Sequence, residues 1–361
     1  MKKLFKAECI MKNMVSTLVS VFLILFLVRP LTAQKIDFLT ACRTGNLKAV
    51  KKLVKKDTNL NAPILDDGTV PLMIAAERGY RDLVKWFVEK GADVNVKKDF
   101  GYTSLMLAAQ KGHVPIVKFL LKKGASAKEE TNLNETALDL AAEKCHADVC
   151  EILLAESIPV NRTDKLGNSP LIKAALSGCD DVVMLLVKKG ADINFRKKDD
   201  GKTPLLLAVA VGHENVVSFL LKNGAEVNMP DSYGKTPLMI AAKHGQLKLV
   251  KLLLNRGANI NATDILGNSA LLYALDFHHP EIAKVLIEKG ADVKISNKSE
   301  VTVMSLAEKN KYEEIITLLE ARGLVRTVSA KADSTKQDST NVQKLPADST
   351  KQKAGETGKK K

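Results

Sequence analysis

Apolar residues in this chain fall in short helical sets, and the sets return at a fixed interval. In "GKTPLLLAVAVGHENVVSFLLKNGAEVN" from Gly201, Thr203 and Pro204 supply a cap residue and a proline preset for a first helical turn. The short helix that follows breaks at Gly212. A second helix carries Val216, Val217, Leu220 and Leu221 at i, i+3, i+4 spacing, the face that meets the first helix. Gly224 suits a left-handed cap at its end, and a polar turn leads onward. The opening residue recurs as Gly68, Gly101, Asn134, Gly167, Gly201, Gly234, Gly267 and Glu300, at steps of 33 with a single 34 between Gly167 and Gly201. With a divergent first copy from about Lys35, containing "LTACRTGNLKAVKKLV", this makes nine helix-pair units over residues 35–324.

These units resemble the ankyrin-repeat family, whose pattern is G-x-T-P-L-H-x-A-A-x-x-G-H, a second helix, then G-A-D-V-N. The resemblance covers about 290 of the 361 residues. It implies an all-α fold: an ankyrin-repeat solenoid of stacked helix-turn-helix units with hairpin-like turns projecting to one side. Each unit would bury its faces only against its neighbours.

The departures carry expectations of their own. The family's His in the fourth motif position is replaced by Met73, Met106, Asp139, Ile172, Leu206, Met239, Leu272 and Ser305, so apolar packing should take over there. Unit four has Asn134, Cys145 and Ser157 at its three glycine slots. A non-glycine residue in a left-handed cap costs on the order of 1 kcal/mol, which predicts a soft spot. His278, in a glycine slot of unit eight, is a lesser case.

Composition narrows the class. The chain is 45% hydrophobic but 4% aromatic, so the core must be built from Leu, Val, Ile and Ala, and 27% charged residues argue against a multi-span membrane protein. The net charge of +14 sits largely at the ends, since residues 34–324 carry only +5. No specific nucleic-acid partner is expected from so mild a balance. At the N-terminus Lys2, Lys3, Lys6 and Lys12 precede the apolar run Val15–Val28 and the small-residue exit Thr32-Ala33, the order of a secretory signal peptide over 1–33. Leu31 stands where a small residue is usual before the cleavage point, so an uncleaved anchor is the alternative. Residues 325–361 repeat "ADSTKQ" and end in Lys359-Lys360-Lys361, reading as a disordered basic low-complexity tail, either a spacer or a weak contact to an anionic envelope surface.

A search for catalytic chemistry returns the repeat itself. Gly201-Lys202-Thr203 and Gly234-Lys235-Thr236 imitate the end of a phosphate-binding loop, but Arg196 and Met229 stand where its upstream glycine belongs. His213-Glu214 has no second His at i+4, and His113, His146, His213 and His279 fill the family's ordinary Gly-His slot. His244, Asp276 and His278 beside His279 form the one cluster outside that rule and read as structural histidines rather than a metal site. Cys42 and Cys150 align with core positions. Cys145 and Cys179 lie in adjacent units at nearly equivalent positions, where stacked helices stand about 10 Å apart, beyond disulfide reach, so no bond is expected unless the backbones come closer there. No nucleophile–base pair, cofactor site or metal site is expected, so the chain reads as no enzyme.

What remains is surface. The resemblance implies that partners dock on the turn tips and the exposed end of each first helix. The residue before the opening position is Phe100, Leu133, Leu166, Asp200, Tyr233 and Leu266 in consecutive units, with Tyr102 just after Gly101, and the helix ends add Leu176, Val211 and Phe277. Apolar residues repeated along one edge would form a binding ladder. The expectation is an exported protein–protein interaction module, periplasmic or secreted and bacterial, with no obligate oligomer. The alternative is an envelope-tethered scaffold held by an uncleaved N-terminal helix or by the basic tail.

Overall fold

The computed structural model describes residues 37–326, so the expectations for 1–33 and for the tail beyond Arg326 lie outside the described residues. A helix over 37–43, α1, and α2 (Leu47–Leu53) make unit one. Units two to five follow as α3 (Pro71–Glu77) with α4 (Arg81–Glu89), α5 (Ser104–Gln110) with α6 (Val114–Lys122), α7 (Ala137–Glu143) with α8 (Ala147–Ala155), and α9 (Pro170–Ser177) with α10 (Asp180–Lys188). Units six to nine are α11 (Pro204–Val211) with α12 (Glu214–Lys222), α13 (Pro237–Lys243) with α14 (Leu247–Asn255), α15 (Ala270–Asp276) with α16 (Pro280–Glu288), and α17 (Val303–Lys309) with α18 (Glu313–Glu320). No β-strand forms among the described residues.

The cap residues start the first helices as the pattern predicts. The hydroxyls of Thr103, Ser169, Thr203, Thr236, Ser269 and Thr302 each accept the backbone N–H three residues on, satisfying a donor the helix cannot. Ala75, Ala108, Ala141, Ala174 and Ala241 are fully buried where the first helices stack. Small side chains there let successive first helices approach more closely than successive second helices do, which curves the stack with the first helices inside.

Two side-chain ladders join the units. In the Gly-His slot, Nε2 of His113, His146, His213 and His279 donates to the carbonyl oxygens of Glu77, Gln110, Leu176 and Lys243 at 2.9–3.1 Å. A carbonyl can only accept, so these rings carry the proton on Nε2. At the exits, Asn61, Asn95, Asn161, Asn194, Asn228 and Asn261 each accept the N–H of a residue one unit on, at 2.7–2.9 Å. The second ladder misses two rungs, the last one, where Lys294 holds the asparagine position, and one inside the stack. Lys128 holds the asparagine position of unit three and faces Pro159, which has no N–H. Arg162 fills the gap by pairing back to Glu130 at 2.7 Å.

Unit four adopts the backbone its sequence makes costly, with φ of 58° at Asn134, 63° at Cys145 and 57° at Ser157. His278 does the same at 64°, and so do Glu300 at the opening slot of unit nine, and Phe100 and Lys311, which the glycine pattern did not single out. The cysteine expectation is corrected. Cys145 and Cys179 form a disulfide with Cα atoms 4.9 Å apart. The helix-stacking distance does not apply, because Cys145 fills the glycine slot of unit four and Cys179 the His slot of unit five, two positions that touch. Cys42 and Cys150 are fully buried, and burial pushes both thiols up to about 12.

The expectation of apolar packing at the missing family His also needs one correction. Met73, Met106, Ile172, Leu206, Met239 and Leu272 are buried there, but so is Asp139, as part of an ion network. Ser305 exchanges hydrogen bonds with its cap residue Thr302.

Candidate binding surface

The turn tips are built by one device. In units four, five, seven and eight a short acceptor two residues before the tip takes two backbone N–H groups at once. Thr131 Oγ1 accepts from Leu133 and Glu135, and Asp164 Oδ1 from Leu166 and Asn168. Asp231 Oδ1 accepts from Tyr233 and Lys235, and Asp264 Oδ1 from Leu266 and Asn268. This closed loop turns the intervening side chain outward. Leu133, Leu166, Tyr233 and Leu266 are accordingly 47–59% exposed. Ile265, beside Leu266, adds an exposed aliphatic that the one-residue register overlooked. Phe100 reaches the same place differently. Lys98 offers no acceptor, the chain tightens into a 3-10 turn over Asp99–Gly101, and Phe100 takes φ 61° at 72% exposure.

Tyr102 does not join this row. Its carbonyl accepts from Lys98 N–H at 3.0 Å as the chain re-enters the unit, and its ring packs half-buried against the core. Burial, aided by the carboxylates of Glu135 and Glu143, pushes its hydroxyl above the usual range.

Adjacent tips are tied by backbone hydrogen bonds. Asn132 donates to Phe100 O, Lys165 to Leu133 O, Ser232 to Asp200 O, Ile265 to Tyr233 O and Lys298 to Leu266 O, all at 2.8–3.1 Å. The series breaks once. No backbone N–H reaches Leu166 O, at the one junction where the repeat runs 34 residues rather than 33. A groove of about 490 Å³ opens there, lined among others by Leu166, Phe195, Lys198 and Asp199. The tips therefore form two runs, Phe100 to Leu166 and Tyr233 to Leu266, divided by this groove and the acidic tip Asp199-Asp200.

On the first-helix ends, Leu176 is 45% exposed and Val211 52% in consecutive units. Phe277 is exposed too, with Lys243 Nζ 4.7 Å from its ring centre. Nearby histidines are engaged in the frame: His279 with Lys243 O, and His278 Nδ1 with Tyr312 Oη at 2.9 Å. Burial, with Lys243 and His279 nearby, lowers His244.

Beneath the tips of units three to five lies the ion network. Asp139, fully buried, accepts on Oδ2 from Thr136 N–H at 2.7 Å, from the Thr136 hydroxyl at 2.9 Å, and from Arg162. Its Oδ1 is buried with no hydrogen bond, and burial raises the Asp139 carboxyl above the usual range against the pull of Arg162. Lys173 pairs with Glu135 and, at 3.2 Å, with Asp164. Burial opposes the charge on Lys173, but the bond to Glu135 together with the charges of Glu135, Asp139 and Asp164 outweighs it and holds the ammonium above its usual range. In unit eight Tyr273 stands where Lys173 does and donates its hydroxyl to Asp264 at 2.6 Å. These charges hold turn bases to helices. Among the described residues no group of three or more His, Cys, Asp or Glu is placed to hold a metal.

The architecture defines a class: a helix-pair repeat solenoid whose tips form an exposed, regularly spaced surface. The family pattern described as "Ankyrin repeats (3 copies)" matches residues 38–131, 72–164, 105–197 and 194–264, and "Ankyrin repeat" matches 266–298. The chain belongs to the ankyrin-repeat family and is a protein–protein interaction module. It is similar to "Ankyrin repeat and SAM domain-containing protein 6" of Rattus norvegicus, 39% identical over 71 residues, and of Mus musculus, 38% identical over 71. Each match covers 19% of this chain, and the chain spans 8% of the length of those relatives.

Proposed function

We propose that the chain is an exported, non-enzymatic binding module that holds a partner protein on its turn tips. The observation that carries this reading is the repeated turn that presents Leu133, Leu166, Tyr233 and Leu266 outward at one spacing. Exposed apolar side chains in a fixed row cost solubility without adding to the core, which is the mark of a contact surface. The frame behind them is fixed by the inter-unit ladders, so binding needs little ordering of the solenoid. Leu176 and Val211 extend the surface onto the first-helix ends.

Export is supported by the order of the N-terminal residues and by the Cys145–Cys179 disulfide, since structural disulfides persist in oxidising compartments. Cell fractionation with thiol trapping tests this arm: an envelope or secreted fraction with Cys145 and Cys179 oxidised is expected, and a reduced cytosolic pool refutes it. For the binding arm, the full chain serves as bait beside a variant carrying Leu133→Ser, Leu166→Ser, Tyr233→Ser and Leu266→Ser. A protein held by the parent and lost by the folded variant is the expected result. Equal capture by both baits removes the tips from the proposal.

A further inference from the structure

We propose that the outer face of units one to three is a docking surface for an anionic phospholipid bilayer. The second helices of these units carry lysines in two rows at the repeat spacing. Lys51, Lys85 and Lys118 lie mid-helix, and Lys56, Lys90 and Lys123 lie just past the helix ends. All are exposed except the half-buried Lys85. Over residues 47–57, 81–90 and 114–123, eleven lysines and arginines stand against three acids, Asp57, Asp82 and Glu89. Every carboxylate pair within 4 Å among the described residues involves other bases.

Bases at helix C-termini complement the helix dipole, which accounts for the second row but not the mid-helix first row. The rows also stop abruptly. In unit four the matching positions are Glu151 and Glu156, joined by Asp148, and α8 carries no base. The patch is therefore bounded by acidic unit four; bases return at both matching positions only in units seven and eight, as Lys251 with Arg256 and Lys284 with Lys289, where Lys248 pairs with Glu214 and Lys284 with Glu314.

Its shape and neighbours favour a bilayer over a strand of nucleic acid. Three helices side by side at ~10 Å make a broad convex face about 20 Å wide rather than a groove. Trp86, the chain's single tryptophan, lies half-buried between the rows, and Phe119 holds its place in unit three with Lys123 Nζ 5.8 Å from the ring centre. Amphipathic rings and long basic side chains are the residues that settle at a headgroup interface. The apolar run Val15–Val28 ends nine residues before Asp37. That is at most about 30 Å of chain, so in the uncleaved form an inserted run would hold unit one at the membrane surface.

The test is vesicle binding by the full chain, with neutral phosphatidylcholine compared against vesicles containing phosphatidylglycerol at low and raised salt. The apolar run contributes alike to both vesicle types, so the preference for anionic vesicles is the readout. The Lys51→Gln, Lys85→Gln, Lys118→Gln variant should lose about 100-fold of that preference. Two controls, Lys188→Gln with Lys222→Gln and Lys251→Gln, and Lys359→Gln with Lys360→Gln and Lys361→Gln, should stay within about twofold of the parent. Trp86 emission should shift to the blue on anionic vesicles in the parent and both controls. The proposal is overturned by an unchanged preference in the first variant, by loss in the tail variant, or by a silent Trp86. It is equally overturned if double-stranded DNA at matched phosphate displaces the protein as well as anionic vesicles do, which would assign the face to nucleic acid.

Discussion

Cys145 and Cys179 meet where, at four other junctions, a glycine faces an imidazole. A Cβ on Gly79, Gly112, Gly178 or Gly245 would lie 2.5–2.7 Å from the ring of His113, His146, His213 or His279. The disulfide occupies that contact and replaces its histidine–carbonyl bond with a covalent one. It does so in the unit that lacks its glycines, next to the one internal junction that lacks its asparagine rung. A weak joint in the solenoid is thus stapled.

Removing the staple should expose the weakness. Cys145→Ser with Cys179→Ser is expected to cost about 2–4 kcal/mol, with loss of amide protection concentrated in α7 to α10. Cys145→Gly with Cys179→His rebuilds the junction found elsewhere, so it should recover much of the loss and be indifferent to reductant. Melting and hydrogen exchange of both variants, with and without reductant, check this. A serine pair as protected as the parent would mean that the junction is held by the ion network alone.

The glycines themselves divide into two kinds. Gly112 and Gly124 share a positive φ, 74° and 86°, but an added Cβ at Gly112 meets His146 whereas at Gly124 it meets nothing within 4 Å. Gly124→Ala should cost about 1 kcal/mol for backbone strain alone. Gly112→Ala should cost clearly more, because the ring must move and its bond to Gln110 O is lost. Adding His146→Ala to Gly112→Ala should recover little beyond the clash. Equal costs for the two single variants would show that the slot is not tightly packed.

Much of this was readable in the sequence because the repeat forces it. A 33-residue step with Thr-Pro caps and paired glycines specifies helix pairs, and a polar residue two positions before Leu133, Leu166, Tyr233 and Leu266 signals the turn that exposes them. Features that depend on how one unit meets the next were hidden. The disulfide joins slots of different type, so comparing equivalent positions made it look out of reach. Arg162 stands in an exit loop and reaches Glu130 in one unit and Asp139 in another, a geometry that no local spacing announces. Tyr102 is one residue from the tip register, yet the chain has already turned inward there. The 34-residue step was visible, but its consequence, an unpaired Leu166 carbonyl, needed the neighbouring tip.

Arg162 and Asp139 predict a pH dependence whose sign follows from burial. The folded Asp139 carboxyl holds its proton more tightly than the ordinary value of 3.8. Its contribution to stability is therefore full below 3.8 and is lost as pH rises through its raised folded value. Arg162→Leu removes the cation that opposes this rise. The variant should be destabilised by about 3–5 kcal/mol at neutral pH, with the deficit shrinking as pH falls below the carboxylate range. Adding Asp139→Met, the residue buried at the matching place as Met73, Met106 and Met239, should restore stability and remove the pH dependence. Denaturation at pH 4 and pH 7 distinguishes these outcomes; a deficit independent of pH would assign the role of Arg162 to packing and to its bond with Asn134 O.

The broken rung at Leu166 links the repeat length to the surface. Around Gly101, Gly234 and Gly267 the next tip's backbone comes within 3.1–3.2 Å of an added Cβ, while at Gly167 the nearest atoms are side-chain ends at 3.9 and 4.0 Å. The extra residue holds the sixth tip away from the fifth and keeps the groove between Leu166 and Phe195 open. Deleting Lys198 returns the step to 33 and should let Leu166 O accept a backbone N–H, as its counterparts do. Amide protection at the sixth tip should then rise and the melting temperature should not fall. If a partner inserts a side chain into the groove, its affinity should drop although Leu133, Tyr233 and Leu266 are untouched. That split separates the groove from the rest of the row: higher protection with undiminished binding places the contact on the tips alone, and unchanged protection shows that the gap is set by the packing of Phe195 rather than by chain length.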